Sequence, residues 1–143
     1  MDVTLEYLKI IDLKAYRSLL ADVLGEVVEM DVMVSKFQEN HPSFKVVVAK
    51  NGSEMLGTTS FAMIDSFTGL GDPKIEFSNF AVAKAARGTN VATLLMDFVI
   101  NYAKEYGYQS IVVNCGVDAH RAHAFYEKMG FERAEKARFV LAV

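Results

Sequence analysis

The spacing of apolar residues along the first half of the chain predicts strands, then helices, then strands again. Residues 3–10 alternate well enough for a first strand, and the apolar residues that follow recur at helical spacing, which indicates one or two helices. Two extended apolar runs come next, at residues 41–50 and 54–67. The Asn51-Gly52 pair between them is a strong signal for a tight turn, so the two runs are predicted to form a hairpin.

The middle of the chain changes to strand followed by helix. Glycines and a proline interrupt residues 69–73, and a further strand is predicted at 74–82. The next helix is predicted over 89–107 and ends near Gly107. One face of this helix is apolar and carries Val91, Leu94, Leu95, Phe98, Val99, Tyr102 and Ala103.

The last part of the chain adds one strand, one helix and a terminal extended run. Residues 110–116 are short and β-branched, as expected of a buried strand. A helix is predicted from residue 119 to Gly130, with Asp118 as its cap. Residues 137–143 fit a final strand or hairpin. This order of elements predicts an α/β fold with a mixed sheet.

Length and composition favour one compact domain over residues 1–143, because a chain of this size buries roughly two-thirds of the surface that its unfolded state exposes. The net charge of −3 gives no basic face, so we expect no nucleic-acid partner. A single cysteine excludes an internal disulfide and is compatible with a reducing compartment. No run reaches the ~18 apolar residues of a membrane span, so we expect a soluble, cytoplasmic protein without a membrane partner.

Arg87 and Gly88 stand directly before the predicted helix at 89–107. The start of a helix leaves backbone N–H groups without intrahelical acceptors, and the helix dipole adds positive potential there. Gly88 permits close approach of a ligand, and the side chains of Thr89, Asn90 and Thr93 can add donors. The segment therefore suits a pyrophosphate, although a glycine before a helix is also common in plain turns. It matches neither the nucleotide-triphosphate loop nor the three-glycine dinucleotide fingerprint.

A second motif, "AHAFYEKMGF", occupies residues 122–131, one strand and one turn after the first. Together the two motifs resemble the GCN5-related N-acetyltransferase (GNAT) family. The pyrophosphate loop of that family reads Gln/Arg-x-x-Gly-x-Gly/Ala, and its later helix commonly reads Ala-x-x-Phe-Tyr-Glu-Lys-x-Gly-Phe. Arg87 takes the first loop position and Ala92 the last. The resemblance implies a central mixed, mostly antiparallel sheet flanked by helices.

The same resemblance implies transfer of an acetyl group from acetyl-CoA to an amine, by direct attack within a ternary complex. The strand that ends at Val82 is expected to hold the thioester carbonyl while it splays from the next strand. The residues implied in acetyl-CoA binding are Phe80, Ala81, Val82, Arg87, Gly88, Thr89, Asn90, Val91, Ala92 and Thr93. The chain departs from the family pattern at Asn90, where a glycine is usual, and at Ser78, where related sequences often carry a glutamate.

Two residues are candidates for proton transfer. Glu76 is the carboxylate nearest to the departure at Ser78 and is the candidate general base. Strand alternation predicts that its side chain shares a face with Ser78, Phe80 and Val82, where it either lines the cleft or pairs with a structural cation. The resemblance assigns protonation of the leaving thiolate to Tyr126, which otherwise is an amphipathic tyrosine of the core.

Other reactive or metal-binding side chains have weaker support as functional residues. His120 and His123 are three residues apart with Asp118 nearby, but no further ligand supports a metal site, so no metal is predicted. Cys115 follows a predicted buried strand and has no evident partner that lowers its pKa, which favours an inert buried thiol over a covalent acetyl carrier.

The acceptor and the assembly are open at this point. In the GNAT fold the early helices and the loop at 67–74 would shape the acceptor site. The departures at Ser78 and Asn90 leave a second function open, in which the chain is a non-catalytic acyl-CoA-binding or regulatory module. The chain is 52% hydrophobic and ends in an apolar run, which either completes the sheet or pairs with a second copy, and this favours a homodimer.

Overall fold

The computed structural model describes residues 2–65 and 72–143. Its strands are β1 (Thr4–Tyr7), β2 (Phe44–Asn51), β3 (Glu54–Ile64), β4 (Lys74–Val82) and β5 (Ser110–Val112). Its helices are α1 (Leu13–Leu24), α2 (Met30–Gln38), α3 (Val91–Tyr106) and α4 (His120–Lys128), and two short 3-10 helices, Ile10–Asp12 and Lys84–Ala86, precede α1 and α3. The chain break predicted at Gly69 and Gly71 lies outside the described residues, as does most of the loop at 67–74.

The described residues form two compact units, the first ending at Val113 and the second comprising Asn114–Val143. All five strands lie in the first unit and form one sheet in the order β1-β2-β3-β4-β5. Neighbouring strands pair antiparallel except β4 and β5, which pair in parallel. The mixed, mostly antiparallel sheet confirms the predicted fold class, whereas the single-domain organisation over 1–143 stays a prediction.

Helices of the first unit pack on both faces of the sheet. Val48, Thr58 and Ala81 lie opposite one another across β2, β3 and β4, so their side chains share one face. Val48 and Ala81 belong to the core cluster that contains Leu13 and Leu20 of α1 and Met33 of α2. We call this side of the sheet the α1–α2 face.

The opposite side is the α3 face, and it is rich in aromatic contacts. The ring of Phe61 lies 6.4 Å from Phe98 and 5.1 Å from Tyr102, both on α3. Tyr7 of β1 contacts Phe98 edge-on at 5.6 Å. Edge-to-face pairs of this kind add to the stabilisation from burial alone. The apolar side of α3 that the sequence predicts therefore does face the sheet.

Gly57 of β3 permits the start of α3 to approach the sheet closely. A Cβ atom at this position would lie 3.0 Å from the backbone oxygen of Ala81, 3.0 Å from Leu95 Cδ1 and 3.1 Å from Val91 Cγ1. Such distances are shorter than ordinary van der Waals contacts, and the oxygen of Ala81 cannot move away without moving β4. The absence of a side chain at Gly57 thus sets the position of α3 against β3 and β4.

Local turn signals match the structure. Gly52 has φ of 62° in the turn that joins β2 to β3, and Asn51 pairs with Glu54 across it. The α3 helix ends where predicted, with Gly107 at φ of 78° as its C-cap. The predicted hairpin and the predicted end of this helix are both confirmed.

A cluster of charged side chains joins β1, β2 and the entrance to α1. The Nζ atom of Lys50 lies 2.6 Å from Glu6 Oε1 and also forms an ion pair with Asp12. The backbone N–H of Lys9 donates to Asp12 Oδ2 at 2.9 Å. Burial works to raise the pKa of Asp12, and the hydrogen bonds from Lys50 and Lys9 outweigh it, so this pKa lies below its ordinary value.

In the second unit the structure corrects two predictions. Asp118 does not cap α4 with its side chain; Ala119 is the N-cap, and the N–H of His120 donates to the Asp118 backbone oxygen at 2.9 Å. Residues 137–143 form no strand with any described residue, and Phe139, Val140 and Leu141 are exposed. A strand requires a partner for its backbone N–H and C=O groups, and apolar composition alone does not supply one. The homodimer stays a prediction.

Within residues 2–65 and 72–143, no helix combines the length and the apolar character that a transmembrane span needs.

Candidate functional site

The loop before α3 is open and shaped by a glycine. Arg87 is extended, Gly88 has φ of 79°, and both residues are exposed. A Cβ atom at Gly88 would meet nothing within 4 Å, so the backbone angle rather than lack of space requires glycine here. The N–H of Ala83 donates to Leu56 O at 2.8 Å, which ties the beginning of this connection to β3.

Several backbone donors of this loop are available to a ligand. Among the described residues, no acceptor pairs with the N–H groups of Gly88, Asn90, Ala92 or Thr93. The hydroxyl of Thr89 is engaged within the loop, because it donates to the Ala86 carbonyl. The 16-residue α3 helix stands behind these donors and contributes its dipole. The arrangement fits an anionic group, as the sequence predicts.

The departure from the family pattern at Asn90 causes no backbone strain. Asn90 has φ of −87° and ψ of 11°, angles open to any residue, and it forms the N-cap of α3 without a side-chain hydrogen bond to the helix. A glycine is therefore not needed at this position for its conformational freedom. The exposed amide of Asn90 stands beside the unpaired donors of the loop.

A β-bulge interrupts β4 and changes which side chains share a face. Ser60 of β3 lies opposite Ser78, but Thr58 lies opposite Ala81, so β4 contains one extra residue in this interval. Asn79 in the bulge has φ of 51°, the one positive value among the described residues other than glycine. The hydroxyls of Thr59 and Ser60 both donate to the Ser78 carbonyl at 3.3 Å.

The bulge corrects the predicted position of Glu76. Glu76 and Ser78 share the α1–α2 face with Ala81, and not with Val82, because the extra residue reverses the alternation of side chains. The ring of Phe80, within the bulge, packs instead on Phe77 at 6.0 Å. Strict alternation failed here because the additional residue is set by pairing with β3, which the pattern of β4 alone does not reveal.

Glu76 lies at the end of the pairing between β4 and β5. The parallel pairing covers three residue pairs, and the last joins Glu76 to Val112. Strand β4 continues to Val82, whereas β5 has ended, and no further ladder pair joins them in the described chain. The half-buried Glu76 thus belongs to the last residue pair that joins β4 to β5, whereas the splay of the two strands that the resemblance implies stays a prediction.

The predicted acetyl-CoA residues all lie in the first unit but differ in exposure. Ala81 is 1% exposed and Val91 is fully buried, so these two can offer a ligand only their backbone. Phe80 and Val82 are half-buried. Arg87 and the residues from Gly88 to Asn90 are exposed.

Tyr126 belongs to the second unit and packs between two aromatic rings. Phe125 and Phe131 each lie 5.7 Å from it, measured between ring centroids. Burial raises the pKa of the Tyr126 phenol, and the nearby Cys115 thiol adds to the increase. The hydroxyl therefore stays protonated at neutral pH, as a proton donor must.

One prediction about the residues outside the proposed site is wrong. Cys115 is exposed rather than buried, because β5 ends at Val112 and the cysteine lies beyond it. The rings of His120 and His123 are 6.0 Å apart, and His123 Nε2 lies 2.8 Å from the Gly116 carbonyl oxygen. Within the described residues there is no group of three side chains able to hold a metal ion.

A cavity of about 850 Å³ also opens in the first unit, between α1, α2 and the residues that lead into β2. It extends to Asn79 of the bulge and to the buried Tyr16, whose hydroxyl is hydrogen-bonded to the Ser60 side chain. The sequence predicted the elements around this cavity but not the space between them. Leu20 of α1 and Met33 of α2 are recognisable as apolar positions, but the sequence does not distinguish a packed side chain from one that lines a cavity.

Comparison with known proteins decides the family. The model of the Acetyltransferase (GNAT) family matches residues 13–131. The chain belongs to this GNAT acetyltransferase family. The matched span includes Glu76, the loop before α3 and Tyr126.

Similar proteins place this GNAT chain among larger relatives. It is 26% identical over 117 residues to the "Probable N-acetyltransferase family 8 member 5" of Mus musculus, a match that covers 80% of this chain and 50% of that protein. The chain thus spans about half the length of this curated relative.

Solved structures agree with the fold of this GNAT chain. A transcriptional regulator from Bacillus halodurans C-125 has a TM-score of 0.85 at 24% identity, covering 99% of this chain and 100% of that one. AAC(6')-Iy in complex with the bisubstrate analogue CoA-S-monomethyl-acetylneamine has a TM-score of 0.83 at 15% identity, covering 100% and 99%. At these identities the likeness concerns the fold alone.

Proposed function

We propose that this GNAT chain transfers the acetyl group of acetyl-CoA to a primary amine, by direct attack of the amine within a ternary complex. The observation that carries the proposal is the open loop before α3. There Gly88 has a left-handed backbone angle, and neighbouring N–H groups have no acceptor among the described residues. Membership of the acetyltransferase family supplies the reason to expect acetyl-CoA as the ligand of this loop.

The loop would hold the pyrophosphate of acetyl-CoA through backbone donors. The N–H groups of Gly88, Asn90, Ala92 and Thr93 supply hydrogen bonds, and the guanidinium of Arg87 supplies a charge. Beyond the loop, the main chain from Phe80 to Val82 would accompany the pantetheine arm. The side chains of Ala81 and Val91 take no part, because both are buried.

Glu76 would take the proton that the amine loses. Acetyl-CoA supplies an activated acetyl thioester. An amine that is protonated at neutral pH first gives one proton to the base; the free amine then forms the new C–N bond as the C–S bond breaks, and the acylated nitrogen releases a second proton, which balances the one that the leaving thiolate receives. A carboxylate near the cleft can serve as the base. Glu76 belongs to the last residue pair between β4 and β5, and it would act on the amine directly or through a water molecule.

Tyr126 would protonate the leaving thiolate of CoA. Its raised pKa keeps the hydroxyl protonated, and its packing between Phe125 and Phe131 fixes the ring. The predicted effect of Tyr126→Phe is a ~100-fold slower chemical step with unchanged acetyl-CoA binding, since only the donor is removed. Single-turnover kinetics measure this step, and equal rates in the variant and the parent would return Tyr126 to a structural role.

A second candidate function is a non-catalytic acyl-CoA-binding or regulatory module. Ser78 favours it, because it stands where related sequences often carry a glutamate. Asn90 does not, since its ordinary backbone angles keep the loop geometry intact.

The two candidates are separated by incubating the protein with acetyl-CoA and a panel of primary amines while free thiol is followed. Amine-dependent thiol release that slows in Tyr126→Phe supports the transferase. Acetyl-CoA binding without thiol release from any amine supports the binding module. Failure to bind acetyl-CoA would contradict both.

A further inference from the structure

The cavity beside α1 and α2 has an apolar interior. Its volume of about 850 Å³ falls within the range of sites that enclose a small organic molecule, roughly 300–1,000 Å³. Apolar side chains from α1, α2 and the segments next to them cover most of its described wall, among them Leu8, Leu20, Val28, Met33 and Phe37. An apolar wall of this kind binds the body of a ligand by removing it from water.

No buried carboxylate lines the described part of the cavity. The charged lining residues Glu26, Lys36 and Glu39 are all exposed. Lys45 also borders the cavity, but its Nζ lies 5.1 Å from the centroid of the Tyr7 ring, which packs on Phe98, so this charge is held on the α3 face. A polyamine or another polycation requires carboxylates that face each of its charges, and the described interior has none.

Asn79 links the cavity to the strand proposed to accompany acetyl-CoA. It lines the cavity, and it precedes Phe80 in the bulge of β4. The side-chain amide of Asn79 is half-buried and the hydroxyl of Tyr16 belongs to a buried residue, whereas the other polar lining residues apart from Lys45 are exposed: Glu26, Lys36, Glu39, Asn40 and His41. An amine bound near Asn79 would therefore stand next to the backbone from Phe80 to Val82.

We propose that this cavity receives the acceptor, and that the acceptor is a primary monoamine on an apolar body. Its apolar part lies between α1 and α2, and its amine points to Asn79. The inference rests on the proposed acetyl transfer and adds the class of acceptor. It differs from the acetylneamine part of the analogue bound by one structural neighbour, because the described interior of this cavity holds no buried carboxylate for additional amino groups.

Three amines test the class of acceptor. 4-Phenylbutylamine has an apolar body, spermidine is a polycation, and ethanolamine is small and polar. We expect kcat/KM for 4-phenylbutylamine to exceed that for either of the others at least about tenfold, because an apolar pocket discriminates by the apolar groups it buries. Equal or better use of spermidine would overturn the proposal.

Paired variants on α2 test the site. Met33→Gln places an amide in the cavity wall, and Val32→Gln makes a similar change at a neighbouring exposed position that does not line it. We expect Met33→Gln to raise the KM for 4-phenylbutylamine about tenfold while the acetyl-CoA dissociation constant stays unchanged, with no effect from Val32→Gln. Val28→Thr preserves the shape of the side chain and should raise the KM for the same amine by a smaller factor. It replaces Met33→Gln in this test if that variant does not fold.

Calorimetry with 4-phenylbutylamine alone separates this inference from the proposed function. Binding to the parent that is lost in Met33→Gln supports the cavity as the amine site even if no acetyl transfer is detected. Acetyl transfer with no response to either cavity variant overturns the inference and leaves the proposed function standing. Absence of both amine binding and acetyl transfer contradicts both.

Discussion

The two faces of the sheet are built differently. On the α3 face, Gly57 permits close contact with the helix, and the Phe61 ring packs against Phe98 and Tyr102. On the α1–α2 face the buried residues include polar ones such as Ser60 and Tyr16. A cavity of about 850 Å³ remains on this face, next to α1 and α2. One face is closed by packing, and the other keeps space.

This difference suggests that the two faces of the sheet have different roles. Close packing of α3 holds the loop with Gly88 in a defined place relative to β4, since a packed core resists small displacements. The more open face holds Glu76, Ser78 and the cavity, where an acceptor needs room to enter. Changes on the α3 face should therefore affect stability and acetyl-CoA binding, and changes on the α1–α2 face should affect the acceptor and the proton.

The largest effect is expected from Glu76→Gln on the α1–α2 face. If Glu76 is the base, the chemical step should slow by ~100-fold, with acetyl-CoA binding unchanged. High pH or acceptor amines of low pKa should restore part of the rate, because such amines lose their proton without help. Glu54→Gln, at the start of β3, is the control and should have no effect. A rate equal to that of the parent would remove Glu76 from the mechanism.

Gly57→Val should produce the next largest effect, on the α3 face. The added side chain meets the Ala81 carbonyl oxygen and the side chains of Leu95 and Val91, so overpacking should reduce the free energy of unfolding by about 1–3 kcal/mol. Gly116→Val is the control, because a Cβ atom there meets nothing within 4 Å. Urea titration of both variants measures the difference. Equal stability of the two variants would mean that α3 is not held by this contact.

Asp12→Asn should have a smaller effect that depends on pH. The pKa of Asp12 is lowered in the folded state, so its carboxylate stabilises the fold above the ordinary value of 3.8, and this contribution is lost as the pH falls through the folded pKa. At pH 7 the variant should be less stable by about 1 kcal/mol, a figure reduced for solvent screening of Lys50 and Glu6. The gap to the parent should close below about pH 4. A gap independent of pH would show that the charge of Asp12 is not responsible.

Features with local causes were predictable from the sequence. The turn at Asn51 and Gly52, the end of α3 at Gly107 and the glycine loop before that helix each depend on residues close together in the chain. The order of elements was sufficient for the mixed sheet and, with the two motifs, for the family.

Features set by distant partners were not predictable in this way. The bulge at Asn79 depends on pairing with β3, and it moved Glu76 to a different set of neighbours. The ion pairs of Lys50 join residues that are far apart in the sequence. Cys115 is exposed because β5 ends at Val112. A β-branched run in the sequence predicts a strand but does not identify the residue at which that strand ends.

Acetyl-CoA binding by two glycine variants tests the central claim most directly. Gly88→Val and Gly52→Val impose similar backbone strain, since both glycines have positive φ and open space around them, but only Gly88 lies before α3. Calorimetry should give an acetyl-CoA dissociation constant raised at least about tenfold in Gly88→Val, through loss of charge-assisted hydrogen bonds to the pyrophosphate. Gly52→Val should bind as the parent does. Unchanged binding in Gly88→Val, or equal weakening in both variants, would contradict the assignment of this loop to the cofactor.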